Sequence, residues 1–167
     1  VNEDIVKSAE KLRIVVRAGA GYDNIDLDAC SSRDIVVMNT PGQNSNAVAE
    51  LAFEMMLYQA RSGFSGKSGS ELRGKIIGLH AFGNVGKYMA EIAKGFGMDV
   101  YAFDPFVSQE AIIGAGVKAC KSAEELYGKC QYVSLHMPAN DLTRKSIGYA
   151  LLMLMPAEAV LVNTARK

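Results

Sequence analysis

Short β-branched runs alternate with helical stretches along almost the whole chain, and this alternation narrows the possible folds more than any other feature. Residues 12–16 (Leu-Arg-Ile-Val-Val) and 35–38 (Ile-Val-Val-Met) read as buried strands. Between them, Asn24 and Asp26 can cap a short helix through Ala29, because their side-chain oxygens accept first-turn amides. Asn44, Ser45 and Asn46 open a long helix over 47–61. Its apolar positions Val48, Leu51, Ala52, Met55 and Tyr58 recur at helical spacing. Phe53, Met56 and Leu57 occupy much of the opposite side, so burial on most faces is expected. Further strands are predicted at 75–81, 99–103, 131–135 and 160–163, with helices at 85–96, 123–127 and 147–155. Strands separated by helical stretches demand crossover connections, hence a parallel sheet with helices on both faces.

The nine residues 62–70 hold three glycines and four serines, a composition that cannot pack a core. They mark the best boundary, giving segments 1–61 and 72–167 joined by a linker at 62–71. Lysine plus arginine number 18 and aspartate plus glutamate 18, so the chain carries no basic field for nucleic acid. No apolar run approaches the roughly 18 residues of a membrane-spanning helix. Three cysteines, Cys30, Cys120 and Cys130, form no Cys-x-x-Cys pair, and there are only two histidines. A disulfide framework and a metal site are therefore not expected, and a reducing cytosol suits this cysteine usage.

Residues 75–86, Lys-Ile-Ile-Gly-Leu-His-Ala-Phe-Gly-Asn-Val-Gly, carry the chemistry. A dinucleotide fingerprint needs a strand, then Gly-x-Gly-x-x-Gly, then a helix. The glycines serve a tight turn, close approach of a pyrophosphate to the backbone, and tight helix–strand packing. The helix N-terminus adds free amides and a partial positive charge. Gly83 and Gly86 fill the second and third positions, and Ala81 replaces the first. A methyl group there is compatible with the turn if φ stays negative. The following strand ends at Asp104, 21 residues after Gly83, where an acidic residue meets the adenosine ribose hydroxyls. Pro105, Phe106, Val107 and Ser108 offer no cation for a 2′-phosphate, so NAD is favoured over NADP.

Three more segments fall at carboxyl ends of strands, where open α/β sheets bind ligands. They are residues 17–21 (Arg-Ala-Gly-Ala-Gly), 135–138 (Leu-His-Met-Pro) and 163–166 (Asn-Thr-Ala-Arg). By spacing alone, His136 reads as a strand-end structural histidine and Arg166 as a solvated arginine. His80, inside a strand, reads as a packed core residue.

Together these motifs resemble the D-2-hydroxyacid dehydrogenases, and within them the D-3-phosphoglycerate branch. The likeness rests on residues 17–26, on 39–45 (Asn-Thr-Pro-Gly-Gln-Asn-Ser), on 48–51 (Val-Ala-Glu-Leu) and on the fingerprint. It continues through Phe103-Asp104-Pro105, then 135–138 with Thr143, and 161–166 (Leu-Val-Asn-Thr-Ala-Arg). It implies a Rossmann-like doubly wound parallel sheet for NAD, plus part of a second, flavodoxin-like α/β substrate domain. By resemblance Arg166 is catalytic, anchoring the substrate carboxylate and polarising the C2 oxygen; a planar fork suits that task. Arg17, Ala18 and Gly19 correspond to the substrate carboxylate and phosphate cradle, and Asn44 to a substrate contact. Ala20 corresponds to a cofactor contact from the substrate domain. Asn84, Val85, Asp104, Pro105, Met137, Pro138, Thr143 and Thr164 match cofactor positions, beside Ala81, Gly83 and Gly86 of the fingerprint.

The implied reaction is oxidation of D-3-phosphoglycerate to 3-phosphohydroxypyruvate with NAD, the first step of serine synthesis, by a cytoplasmic homodimer or tetramer. The substrate would lie in a cleft that closes on the linker. Alternatives are another D-2-hydroxy acid, such as glycerate or lactate, or a noncatalytic NAD-sensing protein resembling corepressors of this fold. Departures from the family are Ala81, the short linker, and Lys167 where most members have glycine. The family's catalytic glutamate and histidine follow the arginine in its order. The expectation is thus that these residues are an internal piece of an enzyme about twice as long, inactive alone.

Overall fold

The computed structural model describes residues 1–165, arranged in two compact units, Val1–Asn44 and Ser45 onward. The first contains helix α1 (Glu3–Ser8), strand β1 (Ile14–Arg17), helix α2 (Leu27–Ser31) and strand β2 (Val36–Asn39). Asp26 caps α2 by accepting the Ala29 amide at 2.9 Å. Asn24 does not share that task; its main-chain oxygen instead accepts from the Val1 terminus at 2.6 Å. β1 and β2 pair in parallel, Ile14 opposite Val36 and Arg17 opposite Asn39. Val6, Ile25, Cys30 and Ile35 form this unit's core, with Val15 and Val37 packed against it. The expectation of fully buried strands is corrected here. Alternate side chains turn away from the core, leaving Val16 65% exposed and Ile14, Val36 and Met38 each 53% exposed.

In the second unit, helix α3 (Ser45–Ala60) and a 3₁₀ turn (Ser62–Phe64) precede strand β3 (Ile76–His80) and helix α4 (Asn84–Gly95). Strand β4 (Asp99–Phe103), helix α5 (Gln109–Gly114), strand β5 (Lys118–Ala119) and helix α6 (Ala123–Lys129) follow. Strand β6 (Tyr132–Leu135), helix α7 (Tyr149–Leu152) and strand β7 (Val160–Asn163) complete it. The strands form one parallel sheet in the order β5-β4-β3-β6-β7. The chain starts in the middle, winds outward one way, then returns across β3 to wind the other way. This is the Rossmann-like, doubly wound α/β arrangement read from the sequence, with its switch point between β3 and β6. Helix α5 and strand β5 escaped the sequence reading, because Lys118–Ala119 is a two-residue edge strand with no hydrophobic run of its own.

Packing explains where the units divide. Ala49, Ala52, Phe53, Met56 and Ala60 of α3 join Met89, Ala90 and Ala93 of α4 and Ile77 and Leu79 of β3 in one apolar cluster. On the other sheet face, Leu126 and Tyr127 of α6 pack with Cys120, Cys130, Val133 and Leu135. Helix α3 therefore belongs with the second unit, and the chain divides after Asn44. This differs from the division 1–61, 62–71 and 72–167 read from composition. The serine- and glycine-rich stretch folds back on α3: Ser70 donates to the Ala60 carbonyl at 2.8 Å, and Phe64 meets Tyr58 edge-on. Nor is α3 buried on most faces, since Leu51, Met55 and Tyr58 face outward.

All three cysteines are free and buried. Burial pushes the Cys120 thiol up to about 11 and that of Cys130 to about 12, so both stay protonated at neutral pH.

The two neighbouring methionines of α3 test this packing. Met56 is fully buried and Met55 is 44% exposed. Met56→Ala should cost about 2–5 kcal/mol in urea denaturation, and Met55→Ala no more than about 0.5 kcal/mol.

Candidate functional site

The crest of the sheet at β3 is built by one close approach. Gly83 is the N-cap of α4, with no side-chain cap on the first-turn amides. Those amides point out of the crest with the positive end of the helix dipole behind them. A Cβ on Gly83 would meet no atom within 4 Å, so the space in front of the loop is open. A Cβ on Gly86 would lie 2.6 Å from the Ala81 carbonyl oxygen. Only glycine at that position lets the helix sit this close to the turn.

Ala81 departs from expectation. Its φ is +83°, not negative, so alanine occupies a backbone region where a Cβ is strained by about 1–2 kcal/mol. The turn is held regardless: the Ala81 amide donates to the Phe103 carbonyl at 2.9 Å, and β3–β4 pairing continues to its end.

Asp104 brackets the crest. Its Oδ2 accepts the Phe82 amide at 2.7 Å and its Oδ1 accepts the Phe106 amide at 2.8 Å. Each carboxylate oxygen keeps a second acceptor position, so the bracket leaves room for two sugar hydroxyls. A residue read as a ribose contact thus also fixes the loop that would hold the phosphates.

Beside this bracket lies a cavity of about 860 Å³. Its walls include Ala81, Asp104, Pro105, Met137, Pro138 and Thr143 from the sequence reading. Thr143 ties the loop after β6 together: its hydroxyl donates to the Pro138 carbonyl and accepts from the Asn140 amide at 3.0 Å. A second cavity of about 350 Å³ shares Met137, Pro138 and Thr143 and extends toward Asn163.

Gly83, Asn84, Val85 and Gly86 lie at the start of α4 and do not line the large cavity. Thr164, just past β7, is half-buried and lines neither cavity. In the first unit, Arg17 ends β1 and its Nη1 donates to the Ala18 carbonyl at 3.1 Å. Asn39 donates to the Ala20 carbonyl at 2.7 Å and Thr40 to that of Gly19 at 3.1 Å, which stitches two strand-end loops together. Asn44 is exposed at the end of that unit. Arg166 lies outside the described residues.

His80 is buried and packed, as its place inside a strand suggested, and it also lines the large cavity with Asp104. Its register at the last β3 position, opposite Phe103, was the available signal, since strand ends form the rim of such sheets. Alternation along β6 puts His136 with Ser134 on the face opposite Leu135 and Met137, and among the described residues neither ring nitrogen has a partner. Burial lowers its pKa to about 4.

An uncapped helix N-terminus, a glycine-permitted close approach and a bracketed carboxylate at a sheet switch point define a dinucleotide-binding α/β unit. The donor set fits NAD: amides for a pyrophosphate, an acidic acceptor for ribose hydroxyls, and an apolar cavity beside them. The family model for the NAD binding domain of D-isomer specific 2-hydroxyacid dehydrogenases matches residues 47–167. Its start falls at the head of α3, close to where the second unit begins. The chain is 35% identical to D-3-phosphoglycerate dehydrogenase of Methanocaldococcus jannaschii over 99% of its length, covering 34% of that protein. It is 36% identical to hydroxypyruvate reductase of Thermotoga maritima, covering 99% of this chain and 57% of the relative. The crystal structure of NAD+-bound 3-phosphoglycerate dehydrogenase from Entamoeba histolytica superposes with a TM-score of 0.86 at 47% identity, over all of this chain and 53% of that one. The chain belongs to the D-isomer specific 2-hydroxyacid dehydrogenase family, and it spans between about a third and three-fifths of the length of these relatives.

Two substitutions of opposite sign test the crest. Ala81→Gly should stabilise by about 0.5–1 kcal/mol by relieving the positive φ, and Gly86→Ala should cost about 1–3 kcal/mol, both read by urea denaturation. His136 predicts a pH slope. Its folded pKa of about 4 lies below the ordinary 6.5, so the unfolded chain binds more protons between them. Stability should fall as pH drops from 6.5 toward 4, by up to about 3 kcal/mol. His136→Asn should flatten that slope.

Proposed function

We propose that this protein oxidises D-3-phosphoglycerate to 3-phosphohydroxypyruvate with NAD. The observation that carries the reading is Asp104, which holds the fingerprint loop and keeps free acceptor positions for ribose hydroxyls next to open amides. The name and 47% identity of the Entamoeba histolytica structure favour phosphoglycerate among 2-hydroxy acids.

When bound, NAD supplies the acceptor for the hydride leaving C2. The chain's own residues have other tasks. The crest amides and Asp104 orient the dinucleotide. Pro105, Met137 and Pro138 wall the cavity with apolar surface that excludes water. Arg166 is assigned the substrate carboxylate, which a guanidinium can grip with two parallel hydrogen bonds. Arg17, Ala18, Gly19 and Asn44 are assigned to the substrate's anionic groups, and Ala20 and Thr164 to the cofactor. His136 is unsuited to take the hydroxyl proton, since burial depresses its basicity and seals both nitrogens.

A homo-oligomer in the cytoplasm completes the proposal. Among the described residues no helix is long and apolar enough to cross a membrane. A second reading, reduction of hydroxypyruvate or a related 2-keto acid, is supported by the Thermotoga maritima relative.

A panel of D-3-phosphoglycerate, D-glycerate and D-lactate with NAD should give the highest kcat/KM for the phosphorylated substrate. A higher value for D-glycerate would transfer the assignment to the second reading. Asp104→Ala should weaken NAD binding by about 10- to 100-fold in titration calorimetry, the loss of one or two charge-assisted hydrogen bonds. Unchanged affinity would remove the cofactor argument.

A further inference from the structure

The cavity beside the crest contains a titratable group that the family pattern leaves unused. His80 ends β3, one strand across from Phe103 and next to the Asp104 bracket. Its Nδ1 lies 3.2 Å from the Tyr127 hydroxyl. The rings of Phe103 and Tyr127 each pack at 5.7 Å from the imidazole, Tyr127 edge-on. This imidazole is held from two sides and cannot swing away.

The buried Tyr127 hydroxyl finds no other partner among the described residues. With the hydroxyl as donor to Nδ1, the neutral imidazole carries its proton on Nε2. Among the described residues only Nδ1 of the ring has a hydrogen-bond partner. Since His80 is a wall residue of the cavity, its ring borders whatever the cavity holds.

We propose that His80 is a specificity-determining residue of the cofactor site. With Tyr127 fixing its ring and Asp104 on the same wall, its charge sets how strongly the site prefers a 2′-hydroxyl over a 2′-phosphate on the adenosine ribose. The inference rests on the cavity being the seat of the adenosine half of NAD. A neutral imidazole leaves the Asp104 charge uncompensated, and that charge repels a 2′-phosphate carrying about 1.5 to 2 negative charges. An imidazolium cancels it and admits the phosphate. The other charged groups on the cavity are Glu124 of α6 and Lys145 of the loop after β6, which oppose each other in sign. The balance at the ribose therefore falls to the Asp104–His80 pair. Burial lowers the His80 pKa from 6.5 and the Asp104 charge partly restores it. The site is thus in its discriminating state at neutral pH and loses discrimination only below the His80 midpoint, which burial holds under the ordinary 6.5.

The test is titration calorimetry of NAD and NADP at about pH 8 and at a pH below the His80 midpoint located by NMR, in the wild type and in His80→Gln. The 2′-phosphate itself gains a proton near pH 6, equally in both proteins, so only the difference between them counts. The NAD:NADP affinity ratio should narrow about tenfold more in the wild type than in the variant. Parallel changes in the two proteins would overturn the proposal. The unaltered protein gives a second measurement that does not depend on the variant folding. With only two histidines in the chain, the His80 ring proton can be followed by NMR. Its titration midpoint should shift on saturation with NAD and shift higher with NADP; one midpoint in all three states would overturn the proposal. Failure of the wild type to bind NAD at either pH would instead overturn the cofactor reading, and this inference with it.

Discussion

The close approach of helix α4 to the turn after β3 is the constraint from which the rest of the site follows. The Ala81 carbonyl occupies space that any side chain at residue 86 would need, so the helix reaches the crest only with glycine there. Once it does, the first-turn amides at Gly83 are left without a side-chain cap at the crest of the sheet. Asp104 then pins the loop from the neighbouring strand through the Phe82 amide. One carboxylate both stiffens the crest and supplies its negative charge. The proposed ribose contact would thus fall on the residue that holds the loop.

The two faces of the sheet bear different loads. On the α3–α4 face, small residues such as Ala49, Ala52, Ala90 and Ala93 let the two helices nest closely, α4 against β3 and α3 toward β7. On the α6 face, Tyr127 is fully buried and its hydroxyl is drawn to His80 at the rim. A hydrogen bond thus links a helix core to the cavity wall on this face. The strained φ of Ala81 sits between these faces, at a turn that β3–β4 pairing holds in place. Strain at such a position is sustained because the surrounding structure over-determines it.

Much of this was legible beforehand because it depends on local chemistry. The β-branched and aromatic runs read at 75–81, 99–103, 131–135 and 160–163 declare strands through their own side chains. Gly83, Gly86 and Asp104 declare a phosphate-and-ribose seat through spacing. Other features had no local signal. Lys118–Ala119 becomes a strand only because β4 offers it an edge. Leu51, Met55 and Tyr58 are as hydrophobic as Ala52 and Met56, and nothing within the helix says which stripe will meet α4. The flexible composition of 62–70 suggested a divider, yet the chain folds back on α3 there, because that helix had already been claimed by the second unit's core.

By itself, then, the sequence determined the alternation of elements, the parallel sheet it requires, and the family to which the crest motif points, since each is set by residue type and short-range spacing. Only the tertiary structure decided that α3 packs with the cofactor unit, that Ala81 is forced to a positive φ, and that His80 faces a cavity beside Asp104. Those outcomes depend on which surfaces meet across the fold, and surfaces distant in sequence acquire their relation only when the chain has closed around a shared core.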